Sequence, residues 1–403
     1  MKHFLVTGCS TGIGEACALD LVARGHRVFA GVRRDADGVR LRERSRETDA
    51  PGERLIPVPL EVTSPAAIAA AVQEVQRRLR GFQSAGLDGL VNNAGILVPG
   101  PLELLSTDDL RRQFEVNVLG VHAVTRAFLP SLRPTRGRLV IVGSISGVVT
   151  PPFMGAYAAS KHALEAIADA FRMELRPWRI SVSLLQPDSV ATPIWDKMVA
   201  GTGGDASREG RGSGNGSNGS NGSNASEGSE GSNGSNGGNG SNGSGSGNGS
   251  EGSKGVEGSG GSLTAESPVD RFGGATHLVG RPLTGIPPAS GPPSVDLSVD
   301  PSVDPSIHPS VAQVYREQLE QIALAARWMG QTGMPLERVL KALRHALLSR
   351  WPRARYRIGF RTHMALWAYP RLANRLFDLF MLSAMGLGWR RPKTPTTVDF
   401  TPS

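Results

Sequence analysis

The first 195 residues predict an α/β protein, a single doubly wound parallel sheet with helices on both faces. Three observations predict it. Short apolar runs and stretches of helical periodicity alternate regularly from His3 to Pro187, the pattern of successive right-handed βαβ units. The strand-like runs are continuously apolar, as strands covered on both faces must be. A glycine-rich turn joins the first strand to the first helix, at the end of the sheet where such folds bind ligands.

The elements follow in order. HFLVTG is a strand. GIGEACALDLVARG has helical periodicity and stops at Gly25, a residue suited to the position after a helix. HRVFAGV is a strand, ADGVRLRERSRE a helix and RLIPVPLEV a strand. SPAAIAAAVQEVQRRL starts on Ser-Pro, a helix-opening signal. GLDGLVNNAG is a strand running into a turn. TDDLRRQFEVNVLGVHAVTRAFLPSL is one long helix, capped by Thr107 or Ser106 with acids in its first turn. GRLVIVGSIS is a strand, AYAASKHALEAIADAFRMELRPW a helix and RISVSLLQP a strand. Much later, RARYRIGF reads as a last strand. The apolar segment from His363 is broken by Arg371, Arg375 and Asp378, and Pro370 argues against one straight helix.

Composition divides the 403 residues into a core at 1–200, an insertion at 201–310 and a C-terminal part at 311–403 that completes the same domain. The insertion is a Gly/Ser/Asn repeat followed by SVDLSVDPSVDPS. It has too little apolar surface to offset the entropy of ordering it, so a disordered low-complexity segment is expected. Lengthening a loop from about 20 to about 110 residues adds only about 1.5 kcal/mol of closure entropy. The insertion is therefore tolerable as an inert tether; its Asn-Gly-Ser sequons matter only on a secretory route. The net charge is +8, yet no run resembles a nucleic-acid module, so no nucleic-acid partner is expected. Two cysteines, Cys9 and Cys17, make neither a disulfide framework nor a metal site. The chain enters a strand at once, without a signal peptide or an uncharged run of 18 apolar residues, so a cytoplasmic protein is expected. The C-terminal segment is expected to cover the fold or join a subunit interface rather than lie on a membrane.

The strand ends carry the chemistry. TGCSTGIG places Gly8, Gly12 and Gly14 between a strand and a helix, where glycine lets the backbone approach a pyrophosphate and the helix N-terminus favours the negative charge. The fourth strand ends in NNAG and the fifth in GSIS. The next helix opens with Tyr157 and Lys161, i and i+4 on one face. A phenol of pKa about 10 is a poor base at neutral pH, and an ammonium about 4 Å away would favour the phenolate by up to about 4 kcal/mol. Tyr157 is the candidate general acid/base.

With TGCSTGIG, NNAG, Asn117, Ser144 and YAASK in order, the chain resembles the short-chain dehydrogenase/reductase superfamily. Within it, the chain is most similar to the branch of retinol, 17β-hydroxysteroid and 3-hydroxybutyrate dehydrogenases. The resemblance runs through residues 2–195, and weakly through 311–390. It implies a Rossmann-type fold and a homo-oligomer, dimer or tetramer. It also implies catalytic roles for Asn117, Ser144, Tyr157 and Lys161, with Ser144 on the substrate oxygen, Asn117 anchoring a water of the proton relay and Lys161 holding the nicotinamide ribose. The implied cofactor contacts are Gly8, Ser10, Thr11, Gly12, Ile13 and Gly14 in the first turn, Glu61 and Val62 after the third strand, Asn93, Ala94 and Gly95 after the fourth, and Pro187, Val190 and Thr192 after the sixth. Tyr157 and Lys161 also touch the cofactor. The family usually has Asp where this chain has Glu61, and Pro-Gly where it has Pro187-Asp188.

Arg33 and Arg34 end the second strand, with no acid before Asp35; this favours the 2′-phosphate of NADP(H), with NAD(H) the alternative. Ser144, Phe153, Met154, Ile194 and Trp195 are the candidate substrate contacts, with Val148 nearby, and their character suggests a lipophilic alcohol or carbonyl compound. Two rivals stand beside an NAD(P)-dependent oxidoreductase of such a substrate: a short hydroxyacid dehydrogenase, and a catalytically silent nucleotide-binding protein that uses its insertion for interaction.

Overall fold

The computed structural model describes residues 1–47, 53–201, 309–369, 371 and 374–384. These all belong to one compact unit. The insertion expected at 201–310, with its Gly/Ser/Asn and SVDP repeats, lies outside the described residues except at its edges, as does the tail from 385.

The order of elements is β1 His3–Val6, α1 Gly12–Ala23, β2 Arg27–Val32, α2 Asp35–Ser45, β3 Leu55–Pro59, α3 Pro65–Gly81, β4 Gly89–Asn92, α4 Thr107–Phe114, α5 Gly120–Leu132, β5 Arg138–Val142, α6 Gly155–Glu174, β6 Ser181–Pro187, α7 Ile194–Gly201, α8 Pro309–Thr332, α9 Leu336–Leu348, β7 Arg355–Ile358, α10 Phe360–Ala368 and α11 Asn374–Ala384. The seven strands form one sheet in the order β3-β2-β1-β4-β5-β6-β7, every pair parallel.

Period-2 alternation explains why the strands are apolar throughout. Along β1, Phe4 and Val6 enter the core under α1 and α9, and Leu5 enters the core under α3, α5 and α6. In β5, Val140 and Val142 face the first core and Leu139 and Ile141 the second. With both faces covered, most strand positions are apolar, and buried polar ones such as Ser183 and Gln186 are hydrogen-bonded.

The strand order reverses between β1 and β4, which opens a crevice at their carboxyl ends. Hydrogen bonds fix the two lips of that crevice together. Thr7 Oγ1 accepts from the main-chain N–H of Asn93 and of Ala94, both at 3.0 Å, and Asn93 Nδ2 donates to the carbonyls of Thr7 and Gly8, each at 3.0 Å.

The long helix after β4 differs from its expectation. It is opened by Ser106 through a capping box with Asp109, and a five-residue π turn, Glu115–Leu119, separates α4 from α5. Asn117 sits in that π turn. Such bulges re-aim the side chains they carry, and here the turn delivers Asn117 to the segment after NNAG. The last strand is where RARYRIGF placed it, and α10 and α11 lie on either side of Pro370, as its proline implied. Among the described residues, no helix is long and apolar enough to cross a membrane, and no group of three or more His, Cys, Asp or Glu side chains is placed to hold a metal. Cys9 and Cys17 are buried and unbridged.

Candidate functional site

The rim starts at the glycine turn. Gly8 and Gly12 have φ of 67° and 65°, a region that strains any residue with a Cβ. A Cβ on Gly14 would overlap the Gly8 carbonyl oxygen and crowd Asn93 Nδ2. Thr11 is the N-cap of α1 and makes no side-chain cap hydrogen bond, so the first-turn N–H groups face the crevice without a side-chain acceptor. Ser10 and Ile13 flank this turn, Ile13 with its side chain against the core. Thr192, from the segment after β6, stands against Gly12, 3.4 Å from where a Cβ would be.

At the outer end of the crevice, Arg34 is the N-cap of α2. Arg33 Nη1 lies 4.0 Å from Glu61 Oε2, and Glu61 Oε1 accepts from Thr63 Oγ1 at 3.1 Å. Val62 is buried and packs over Gly120. Sequence reasoning missed Arg40, which reaches from α2 to donate to the Ser10 carbonyl and pairs with Asp37 at 3.3 Å. Of the three arginines here, Arg40 is the one that touches the glycine turn.

At the inner end, the NNAG segment is clamped by two amides on the helix opposite. Gln113 Oε1 accepts from Val98 N at 2.8 Å while its Nε2 donates to Ile96 O at 2.9 Å. Asn117 Oδ1 accepts from Ile96 N at 2.8 Å, and its Nδ2 donates to Ile96 O at 3.0 Å and to Ser160 Oγ at 3.1 Å. Both amides are fully buried. The side chain of Asn117 is therefore fully engaged with the protein. Gln113 was not singled out from sequence, although its i,i+4 spacing to Asn117 on a buried helix face was the available signal.

Ser160 passes this clamp to α6 by donating to the Tyr157 carbonyl at 2.7 Å. Tyr157 and Lys161 are 8% and 6% exposed. Ser144 Oγ accepts from Ser146 N at 3.1 Å, and Ser144 acts on the Tyr157 phenol to lower its pKa. Lys161 Nζ lies 5.6 Å from the Tyr157 ring centroid and donates to the Val142 carbonyl at 2.9 Å. Burial is the dominant electrostatic effect. It pushes the Tyr157 phenol up to about 12, which Ser144 only partly offsets, and brings Lys161 down to about 8. Burial thus outweighs the favourable effect of a nearby ammonium, because desolvation penalises both charged forms.

The strand end after β6 carries Asp188 in place of glycine. Its carboxylate accepts from Ser189 N at 2.7 Å, and its Cβ lies 2.6 Å from where a Cβ on Gly359 would be. Gly359, at φ 107°, makes the room for it. Pro187 and Val190 are buried, and Val190 O accepts from the Trp195 indole at 2.8 Å.

Over Tyr157 lies an apolar cluster of Met154, Trp195, Met198, Ile322 and Ala326, with Leu97, Phe153, Ile194, Met329 and Leu382 packed around it. Val148 is outside this cluster. Helix α8 is pinned across it by Tyr315, whose hydroxyl donates to Glu103 at 2.8 Å and whose ring meets Phe153 edge-on at 6.0 Å. Three of the expected substrate contacts, Phe153, Met154 and Ile194, line this region, and Trp195 braces it.

The residues fit a bound dinucleotide. The glycine turn leaves a backbone cradle, and the Lys161 ammonium has three donors with one met by Val142. Residues 2–202 match the family model described as short chain dehydrogenase. A curated relative from Escherichia coli K12, "Uncharacterized oxidoreductase YbbO", is 38% identical over 49% of this chain and 69% of its own. The chain belongs to the short-chain dehydrogenase family. Also similar are the "NADPH-dependent 3-dehydrocapnine reductase" of Ornithobacterium rhinotracheale, 34% identical over 50% of this chain and 70% of that one, and human "Retinol dehydrogenase 16", 39% identical over 49% and 59%. The chain thus spans between about three-fifths and seven-tenths of the length of these relatives. As a member of this family it is an oxidoreductase of alcohol and carbonyl groups, and a nicotinamide cofactor goes with the family.

Proposed function

We propose that this short-chain dehydrogenase reduces the carbonyl group of a lipophilic substrate, with NADP(H) as cofactor and Tyr157 as proton donor. The observation that carries this reading is a buried phenol, kept protonated by burial, within an apolar cluster. When bound, the nicotinamide supplies the hydride to the carbonyl carbon. The Ser144 hydroxyl orients the carbonyl oxygen. Tyr157 donates its proton to that oxygen as charge develops there. Lys161, near its own midpoint at about pH 8, supports reprotonation of the phenol, and its two remaining donors hold the ribose hydroxyls. Met154, Met198 and Trp195 exclude water from the reacting carbon. Methionines adapt to varied apolar shapes, which fits a flexible or polycyclic substrate.

Arg33 and Arg34, with Arg40 beside the glycine turn, support a 2′-phosphate at the outer end. The names of two relatives, an NADPH-dependent reductase and a retinol dehydrogenase, agree in cofactor and in substrate polarity respectively.

The test is absorbance at 340 nm with NADPH and NADH in turn, against retinoids, steroids, aliphatic aldehydes and 3-keto acids. Oxidation of NADPH with a lipophilic carbonyl, lost in Tyr157→Phe, is the expected result. Turnover confined to 3-keto acids would replace this reading by the hydroxyacid one. Cofactor binding without turnover on any compound would favour a silent nucleotide-binding protein.

A further inference from the structure

Among the described residues, fourteen large apolar side chains are exposed, and seven of them fall between Trp351 and Leu379. Half of the exposed apolar groups thus come from a short stretch of the fold. On α10, Phe360, Met364 and Trp367 are 74%, 45% and 59% exposed. They are spaced i, i+4, i+7, which puts them on one face. On α11, Leu376 and Leu379 are exposed at i and i+3. Tyr369, also exposed, joins the two helices by an edge contact with the Phe377 ring at 5.1 Å.

The inner sides of the same helices are anchored. Thr362 is buried and donates to the Ile358 carbonyl at 3.1 Å, Phe377 is buried, and Leu382 packs on the apolar cluster over Tyr157. The outward faces are therefore held in place by the fold.

The charge around these faces is predominantly positive. Residues 350–384 contain arginines at 350, 353, 355, 357, 361, 371 and 375 and a single acid, Asp378. Arg355 is engaged by Glu165 and Asp169, and Arg361 lies over the Trp328 ring at 5.0 Å. Arg371 lies over the Trp367 ring at 5.2 Å, and Arg350 over the Trp351 ring at 5.6 Å. Aromatic and aliphatic side chains flanked by arginine are the composition of segments that sit in the headgroup region of a bilayer. Nine and eleven residues of helix reach only about 14–17 Å, half of a hydrocarbon core, so these helices can lie on a bilayer but not cross it. A second copy docking by the same faces would set arginine against arginine with one acid each in compensation, which the rule of charge complementarity opposes.

We propose that the outward faces of α10 and α11 dock this protein onto the surface of an anionic lipid bilayer. The apolar groups enter the headgroup boundary and the arginines meet lipid phosphates. The docked helices are those whose inner side reaches the apolar cluster around Tyr157 through Leu382, which would place that cluster beside a store of lipophilic compounds; this last consequence rests on the proposed substrate class, and the docking itself does not.

Vesicle co-sedimentation of the full chain tests it, with phosphatidylcholine alone and phosphatidylcholine containing about a third phosphatidylglycerol. Wild type is expected to partition onto the anionic vesicles at least about tenfold more than onto the neutral ones, and to be released by salt. The double variant Phe360→Ser/Trp367→Ser should lose about tenfold of that partitioning with an unchanged melting temperature, because both side chains are exposed. Absence of wild-type binding to either vesicle overturns the proposal, as does equal binding by the variant. A wild-type dimer in light scattering that the double variant turns into a monomer also overturns it, in favour of a subunit interface. The readout is binding, so failure of the proposed reaction would leave it standing, and its own failure would leave the reaction untouched.

Discussion

The two ends of one crevice work under different electrostatics. At the outer end, Arg33 and Glu61 have side chains 61% and 38% exposed, so their pair is solvated and screened by salt. At the inner end, Tyr157 and Lys161 are under a tenth exposed, and burial moves both proton equilibria by about two units or more. In the proposed reaction, proton transfer falls where a charge is hard to create without a partner, and cofactor discrimination where charges are solvated and exchangeable. Substitutions at the inner end should therefore have large, pH-dependent effects, and those at the outer end small ones confined to affinity.

The largest effect is expected from Tyr157→Phe, which removes the proton donor and little else. Turnover should fall by about 10²- to 10⁴-fold, while fluorescence titration shows NADPH binding within a few-fold of wild type. Near-normal turnover would move the chemistry away from the buried end altogether.

Lys161 comes next. Its folded pKa of about 8 lies below the 10.5 of an unperturbed lysine. Between those values the unfolded chain holds a proton that the folded chain has released. Wild-type stability should consequently rise with pH across that window, by up to about 3 kcal/mol. Tyr157 has the opposite sign, raised from 10.0 to about 12: the folded chain keeps its proton longer, and stability falls above pH 10. Urea unfolding at pH 7.5 and 9.5 should show the rise in wild type and its loss in Lys161→Met. A slope that persists in the variant would mean that another group titrates.

Behind α6, Arg355 ties β7 to the helix of Tyr157 and Lys161. It donates to Glu165 at 3.0 Å and to Asp169 at 2.6 Å, and Gln186 donates to the other Glu165 oxygen at 2.8 Å. Arg355→Met leaves the 16% exposed Glu165 with one donor, and should cost about 2 kcal/mol in thermal or chemical unfolding. An unchanged melting temperature would show that β7 is held by its strand pairing alone.

The smallest effect belongs to the exposed rim. Arg33→Ser/Arg34→Ser should lower the ratio of NADPH to NADH affinity by about tenfold, the weight of one charge-assisted contact, without altering stability. A ratio that does not move would leave Arg40, or no arginine, as the phosphate contact.

What could be read from the sequence follows the range of each interaction. Tyr157 and Lys161 are one helical turn apart, the glycine turn is contiguous, and the strands announce themselves by unbroken apolar runs, so fold and candidate centre were legible from local pattern. Arg40 meets Ser10 from 30 residues away and Arg355 meets Glu165 from 190; nothing in the neighbourhood of either residue marks its partner. The direction of the Tyr157 and Lys161 shifts was also out of reach, since spacing gives the distance between two charges but not the water removed from around them. The capping of α4 by Ser106 was half legible: two adjacent hydroxyls offered the same signal, and only the Asp109 return contact decides between them.

The pairing of β6 with β7 has a consequence for how the protein is made. Ser183 of β6 donates to the carbonyl of Arg353, 170 residues further along the chain. At ribosomal speeds of about 5–20 residues per second, roughly 10–30 s separate the emergence of these two partners. Throughout that interval the nascent sheet ends at β6, with a row of backbone donors and acceptors and no strand to satisfy them. The newborn chain therefore carries a temporary adhesive edge, and the yield of soluble protein should depend on how well the cell shields it until β7 arrives.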